Sequence, residues 1–198
     1  MRLFVYLPLM LIFFSNCKKQ AEPAPSLTNN PAKADTIDHE DYIVYDAVIN
    51  QNLEYKQEIL VEQATIFGVF QFQEMQNTNI DTTTFKNYVE NNKRSYNLGN
   101  NFNISPRTSQ ILSKDAYNEL LSNGKKFKKL FPKSDRIIKF SRVGYNKDKT
   151  AAIVSLDSWF VNESENGISQ NYGYGNTIYL EKVNGSWRVI KIGETWIT

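Results

Sequence analysis

The sequence predicts an α+β fold: N-terminal helices packed on a C-terminal antiparallel four-stranded meander, curved into a cone. Three observations predict it. Residues 172–183 and 187–197 are rich in aromatic and β-branched residues, and Asn184-Gly185 between them suits a tight hairpin turn. Residues 135–145 and 150–161 form a second such pair around the polar run Asn146-Lys147-Asp148-Lys149. Residues 38–53, 82–94 and 113–124 carry apolar residues at helical spacing.

The chain opens on Arg2 and then a 12-residue apolar run, residues 3–14, interrupted by Pro8. A membrane-spanning helix needs about 20 residues, so this run fits the h-region of a signal peptide instead. Phe14-Ser15-Asn16-Cys17 follows, then Lys18-Lys19. This resembles a bacterial lipoprotein signal, with Asn16 and Phe14 at positions where a small residue and leucine are commoner. The resemblance implies a signal peptide over residues 1–16 and acyl chains such as palmitate on the Cys17 sulfur. It also implies a place in the bacterial cell envelope, on the outer membrane. Each CH₂ of such a chain adds about 0.8 kcal/mol of anchoring. An ordinary cleaved signal peptide and an uncleaved anchor are the alternatives.

Residues 17–40 read as a lipidated flexible tether. Pro23, Pro25 and Pro31 lie among small polar residues, and Leu27 and Ile37 are the only large aliphatics. Such a stretch buries too little apolar area to offset its ordering entropy. As a coil it reaches roughly 25–30 Å. Residues 41–198 then make a single α+β domain.

Composition narrows the chemistry. A net charge of +2 in 198 residues argues for no particular partner. Cys17 is the single cysteine, which excludes an intrachain disulfide and a multi-cysteine zinc site. His39, the single histidine, stands outside the apolar patterns, which argues against a Ser-His-Asp triad. No motif asks for a cofactor, a metal or a nucleic acid.

The first predicted helix starts at Asp38 as N-cap, with Ile37 and Tyr42 as a hydrophobic staple. Ile43, Val44, Ala47 and Val48 continue it to residue 53. Alternation over residues 58–72 predicts a strand, broken at Gly68. Phe85, Tyr88 and Val89 predict the helix at 82–94, residues 97–101 form a loop, and Pro106 marks another break. Ser113 is the next N-cap, stapled by Leu112 and Tyr117, with a stripe of Ala116, Tyr117, Leu120 and Leu121 that Gly124 ends.

Residues 125–139 are the most basic stretch: Lys125, Lys126, Lys128, Lys129, Lys133, Arg136 and Lys139, with Phe127, Leu130 and Phe131 interleaved. The spacing puts the aromatic stripe inward and the lysines in solvent. The alternative is attraction of Lys125, Lys126, Lys128 and Lys129 to anionic headgroups, at about 1 kcal/mol each.

In the meander, Ala151-Ala152-Ile153-Val154 is apolar on both faces, which marks a central strand. Asp157 interrupts that strand, at the solvent rim or as a partly buried pocket acid. If Val183 and Ser186 flank the last turn, Lys182 faces Trp187, Glu181 faces Arg188, Leu180 faces Val189 and Tyr179 faces Ile190.

The runs Phe127-Lys128-Lys129-Leu130-Phe131-Pro132-Lys133-Ser134, Phe140-Ser141-Arg142-Val143-Gly144-Tyr145-Asn146, Thr150-Ala151-Ala152-Ile153-Val154 and Leu180-Glu181-Lys182-Val183-Asn184-Gly185-Ser186-Trp187 carry a further likeness. Together they resemble a group of bacterial secreted proteins and lipoproteins with no assigned activity, and residues 42–65 echo it weakly. Relatives often have cysteines in the region of residues 171–175, where this chain has none, so no disulfide role carries over. The resemblance implies architecture: Gly144 at a strand bend, Asn184-Gly185 at the turn, Trp187 on the buried face. Ser141 and Arg142 are the shared polar pair. Arg142 could hold a carboxylate or phosphate through two hydrogen bonds, or form an edge ion pair.

Three functions fit. The first is a non-catalytic lipid-anchored envelope protein whose domain contacts a protein or small ligand. Helices followed by an antiparallel sheet are similar to cystatin and nuclear-transport-factor folds, where the sheet curves around a pocket. Arg142, Trp159, Tyr172, Tyr174 and Trp196 are its candidate ligand-binding residues, the aromatics stacking on a sugar or other ligand, or simply filling the core. The second is an envelope hydrolase using two of Asp157, Glu163, Glu165, Glu181 and Glu194 about 5 to 9.5 Å apart. The third is a domain that associates with the membrane surface through residues 125–139.

Overall fold

The computed structural model describes residues 37–52, 57–66, 80–163 and 169–198. The signal peptide, Cys17, the tether up to residue 36, the part of the predicted strand over 67–72 with Gly68, and Glu165 lie outside the described residues. Along the chain run α1 (His39–Asn52), β1 (Glu58–Glu62), α2 (Thr82–Asn91), β2 (Thr108–Leu112), α3 (Lys114–Ser122), α4 (Gly124–Leu130), β3 (Arg136–Phe140), β4 (Gly144–Tyr145), β5 (Ala151–Glu163), β6 (Ser169–Val183) and β7 (Ser186–Ile197).

The strands form one seven-stranded sheet in the order β2-β1-β3-β5-β6-β7, with β4 also pairing on β5. β1 runs parallel to β2 and to β3, and the remaining pairs are antiparallel. This overturns the expected four-stranded antiparallel meander with helices stacked ahead of it. The sheet is mixed, and α2, α3 and α4 are threaded between its strands. Parallel pairing needs crossovers, and the chain from β1 to β3 supplies them as helices. β2 was missed because it is an edge strand of mostly polar sequence, Thr108-Ser109-Gln110-Ile111-Leu112, with only Leu112 buried. Its side-chain amide at Gln110 bonds Glu58 on β1.

Side-chain alternation splits the sheet into two buried faces. On one, Tyr42, Val44, Tyr45, Val48 and Ile49 of α1 pack against Ile59, Val61, Ile138, Phe140, Val154, Leu156, Ile178 and Leu180. On the other, α3 and α4 pack Tyr117, Leu120, Phe127 and Phe131 against Leu60, Ile137 and Val161. Tyr88 of α2 packs on that second face against Ala151, Ile153 and Tyr179.

The caps at Asp38 and Ser113 follow the sequence reading. Asp38 accepts from the Glu40 amide at 3.2 Å, and Ser113 from Ala116 at 3.2 Å. Asp81 caps α2 through Thr83 at 2.9 Å. The first helix begins inside the stretch read as tether, and Ile37 is already buried. Gly124 does not end a helix. Asn123 closes α3 and accepts from Lys126 at 2.9 Å, so Gly124 opens α4.

The strand expected over 135–145 is two strands. Phe140 pairs with Leu156 but Gly144 pairs with Ile153, so residues 141–143 hold one residue more than the strand opposite. Asn92, just past α2, satisfies this irregularity: it accepts from the Arg142 amide at 2.8 Å and donates to the Arg142 carbonyl at 2.9 Å. Gly144 is needed for contact rather than for bending. A β-carbon there would stand 2.3 Å from the Tyr88 Cα, so only glycine lets α2 lie this close.

The last hairpin keeps the expected register at Val183↔Ser186, Lys182↔Trp187, Glu181↔Arg188 and Leu180↔Val189. Asn184 and Gly185 take φ of 51° and 78°. A bulge then places Lys191, not Ile190, opposite Tyr179. At the outer edge of β7, the Gln51 side-chain amide of α1 donates to the Trp187 carbonyl at 2.7 Å and accepts from the Val189 amide at 3.1 Å.

Candidate functional site

The Tyr172-Gly173-Tyr174-Gly175 run lies within β6. Its alternation sends the two tyrosines to the α1 face and the two glycines to the other. Across the pair with β5, Gly173 faces Trp159 and Gly175 faces Asp157. A β-carbon on Gly173 would lie 3.1 Å from Trp159 and 3.0 Å from Trp196, and one on Gly175 would lie 2.1 Å from the Trp196 Nε1. Two glycines in one strand thus make room for two indoles, which restore the apolar cover that the glycines lack.

The five predicted ligand residues therefore do not form one site. Tyr172 and Tyr174 share the α1 face, Trp159 and Trp196 share the opposite face, and Arg142 belongs to a third place. On the α1 face, beyond the reach of α1, Tyr172, Tyr174, Asn176, Ile192, Glu194 and Ile197 line an open recess of about 420 Å³. Tyr172 is 49% exposed, Ile192 42% and Ile197 66%. Phe160 stands at its back, stacked on Tyr172 with ring centres 4.5 Å apart and planes 12° apart. Arg136 lays its guanidinium 4.1 Å from the other side of the Phe160 group and is neutralised by Asp135 at 2.8 Å.

On the opposite face the indoles of Trp159 and Trp196 sit 5.1 Å apart. Trp196 donates to Asp157 at 3.0 Å. Asp157 faces Lys139 across the β3–β5 pair, and Lys139 bonds Glu62 and lies 3.9 Å over the Tyr117 ring. Burial raises the Asp157 carboxyl above the ordinary range, against the Trp196 hydrogen bond and the Lys139 charge. Asp157 is half-buried and hydrogen-bonded to Trp196.

Arg142 donates to Asp41 at 2.9 Å and stacks 4.5 Å from the Tyr96 ring. Asp41, 1% exposed, also accepts from Tyr145 at 3.0 Å. Burial pushes the Asp41 carboxyl upward and the Tyr145 hydroxyl upward with it. A cleft of about 410 Å³ borders this pair, lined also by Asn87, Asn91 and Lys147. Arg142 thus makes its ion pair, through Nε, with the protein's own Asp41.

In the basic stretch, Lys126 pairs with Glu119, Arg136 with Asp135 and Lys139 with Glu62, while Lys128 lies 5.5 Å over Phe127. Lys125 and Lys129 are exposed on α4. The candidate hydrolytic carboxylates are dispersed: Asp157 is under the indoles, Glu194 on the α1 face, and Glu181 beside the Tyr179 hydroxyl at 2.9 Å. The Glu163 side chain, like Glu165, lies outside the described residues. Among the described residues no three His, Cys, Asp or Glu side chains come together to hold a metal, and no helix is long and apolar enough to cross a membrane.

The sequence reading missed Phe160, Arg136, Ile192 and Ile197 at the recess. A signal for Phe160 existed: it follows Trp159, so strand alternation puts it on the face opposite that indole.

No family model matches the chain, and no curated protein matches it. One solved structure with partial likeness is described as a calcium/calmodulin dependent protein kinase II association domain from Xanthomonas campestris. The likeness is 21% identical, covers 29% of this chain and 43% of that one, and has a TM-score of 0.22.

Proposed function

We propose that this chain is a lipid-anchored bacterial cell-envelope protein whose folded domain binds a ligand or partner without catalysis, using the tyrosine-lined recess. The observation that carries the binding half is the recess itself. Tyr172, Ile192 and Ile197 expose a connected aromatic and aliphatic surface beside polar Asn176 and Glu194. Exposed apolar area with a polar rim marks contact sites, and about 420 Å³ lies within the size range of small-ligand pockets. The leader sequence ending at Cys17 supports the anchor.

Two measurements test the two halves. Cells grown with labelled palmitate should yield labelled protein, and Cys17→Ser should abolish the label; unlabelled protein sinks the anchor. The full chain should bind an apolar fluorescent dye such as anilinonaphthalene sulfonate, and Tyr172→Arg should remove most of that binding. Unchanged dye binding in Tyr172→Arg removes the recess as a binding site.

A further inference from the structure

Resting on that reading, we infer that the recess takes a ring of a neutral saccharide, stacked on the exposed face of Tyr172. Arg136, Phe160 and Tyr172 occupy one row across three neighbouring strands, in register as Arg136↔Phe160 and Phe160↔Tyr172. The guanidinium lies 4.1 Å from Phe160, and the Phe160 and Tyr172 rings are 4.5 Å apart and nearly parallel. That separation matches the spacing of strands in a sheet, so each strand contributes one flat group to a ladder. Tyr172 is the outermost rung, 49% exposed, with its free area turned to the recess. A rigid ring held from behind offers a ligand a stacking surface that is already ordered, so little entropy is lost on binding.

The rim selects what stacks there. The Arg136 charge lies at the base of the ladder and Glu194 at the rim. Arg136 is buried behind Phe160 and paired with Asp135, so Glu194 sets the charge at the rim: it turns away an anionic ligand and accepts from uncharged hydroxyls. A purely aromatic ligand would cover Tyr172 and leave Asn176 and Glu194 without new partners, which costs binding energy when those groups lose water. A pyranose ring meets both demands: its C–H face lies on the tyrosine, and its hydroxyls bond the Asn176 amide and the Glu194 carboxylate. The hydroxyl of Tyr174, 3.5 Å from the Arg136 guanidinium, adds a further polar group on the same side.

The test is a titration of the full-length chain in nanodiscs, with tyrosine rings isotopically labelled, against cellotetraose, maltotetraose and chitotetraose. At about 10 mM sugar, roughly tenfold above a millimolar Kd, at least one should shift the Tyr172 and Tyr174 ring signals. Tyr172→Ala should weaken that sugar roughly threefold to tenfold, and Tyr172→Phe should keep the affinity. Glu194→Gln, which keeps a hydrogen-bonding edge, should retain measurable binding. If none of the three sugars moves the Tyr172 signal while the dye still binds through Tyr172, the saccharide is wrong and the recess stands. If the sugar binds as tightly in Tyr172→Ala, the stacking site is wrong.

Discussion

Asp41 and Arg142, 101 residues apart, meet as a buried ion pair with a 2.9 Å hydrogen bond from Nε to Oδ2. Asp41 sits in the first turn of α1 and Arg142 in the irregular link between β3 and β4, so the pair ties the first helix to the sheet. Asp41 has Tyr145 on its other oxygen and Arg142 has the Tyr96 ring on its face. Removing one partner leaves the other charge buried. Arg142→Ala and Asp41→Ala are each expected to lose about 3–5 kcal/mol in urea unfolding, and the double variant less than the sum. Dye binding at the recess should survive in whatever fraction stays folded.

Gly144 and Gly185 give a paired prediction. Gly144→Ala forces a β-carbon into the Tyr88 backbone at 2.3 Å, where nothing flexible can yield. Gly185→Ala meets nothing within 4 Å and suffers only from its φ of +78°. Expected losses are about 3 kcal/mol or more for the first and about 1 kcal/mol for the second, read from thermal or urea unfolding.

Asp46 should make stability fall as pH rises from about 4 to 6. Its Oδ2 accepts from the Asn103 amide at 3.0 Å, while its Oδ1 is buried without a hydrogen-bond partner. Burial lifts its carboxyl to about 6, against that hydrogen bond and the nearby His39. The folded state therefore holds this proton more tightly than the unfolded chain. The advantage is complete below the unfolded pKa and lost as pH climbs through the folded one. Because the group is only partly buried, the loss should be about 1–2 kcal/mol. Asp46→Asn should flatten this step in a pH series of unfolding midpoints and be the more stable protein at pH 7.

Gly175→Ala should be visible by tryptophan fluorescence. The added carbon reaches the Trp196 indole nitrogen, which donates to Asp157. The indole must swing away, breaking that bond and exposing more of Trp159. A red-shifted emission and a loss of about 1–3 kcal/mol are expected. Unshifted emission would mean the indole does not rest on the strand.

The sequence showed what is local. Asp38, Ser113, Asn184 and Gly185 announced their caps and turn because each acts on backbone within three residues. It hid what is distant. Nothing in Thr108-Ser109-Gln110-Ile111-Leu112 signals that it lies parallel to β1 at a sheet edge, since an edge strand needs no apolar alternation. The extra residue between Phe140 and Gly144 was invisible for the same reason: its compensation comes from Asn92, some fifty residues earlier. At the recess, the tyrosines were found and then grouped with the wrong aromatics. Both strands were recognised, but which face Tyr172 and Tyr174 share with Phe160 or Trp159 is set by the pairing register of β5 with β6, and neither strand's sequence carries that register.

Gln51 imitates a neighbouring strand with a single amide, filling both hydrogen-bonding positions at the Trp187–Val189 step of the sheet margin. Where one molecule's fringe is already occupied by its own helix, a second molecule cannot zip onto it there. Edge-to-edge joining of two copies of the sheet is blocked at that step by one side chain near the end of the first helix.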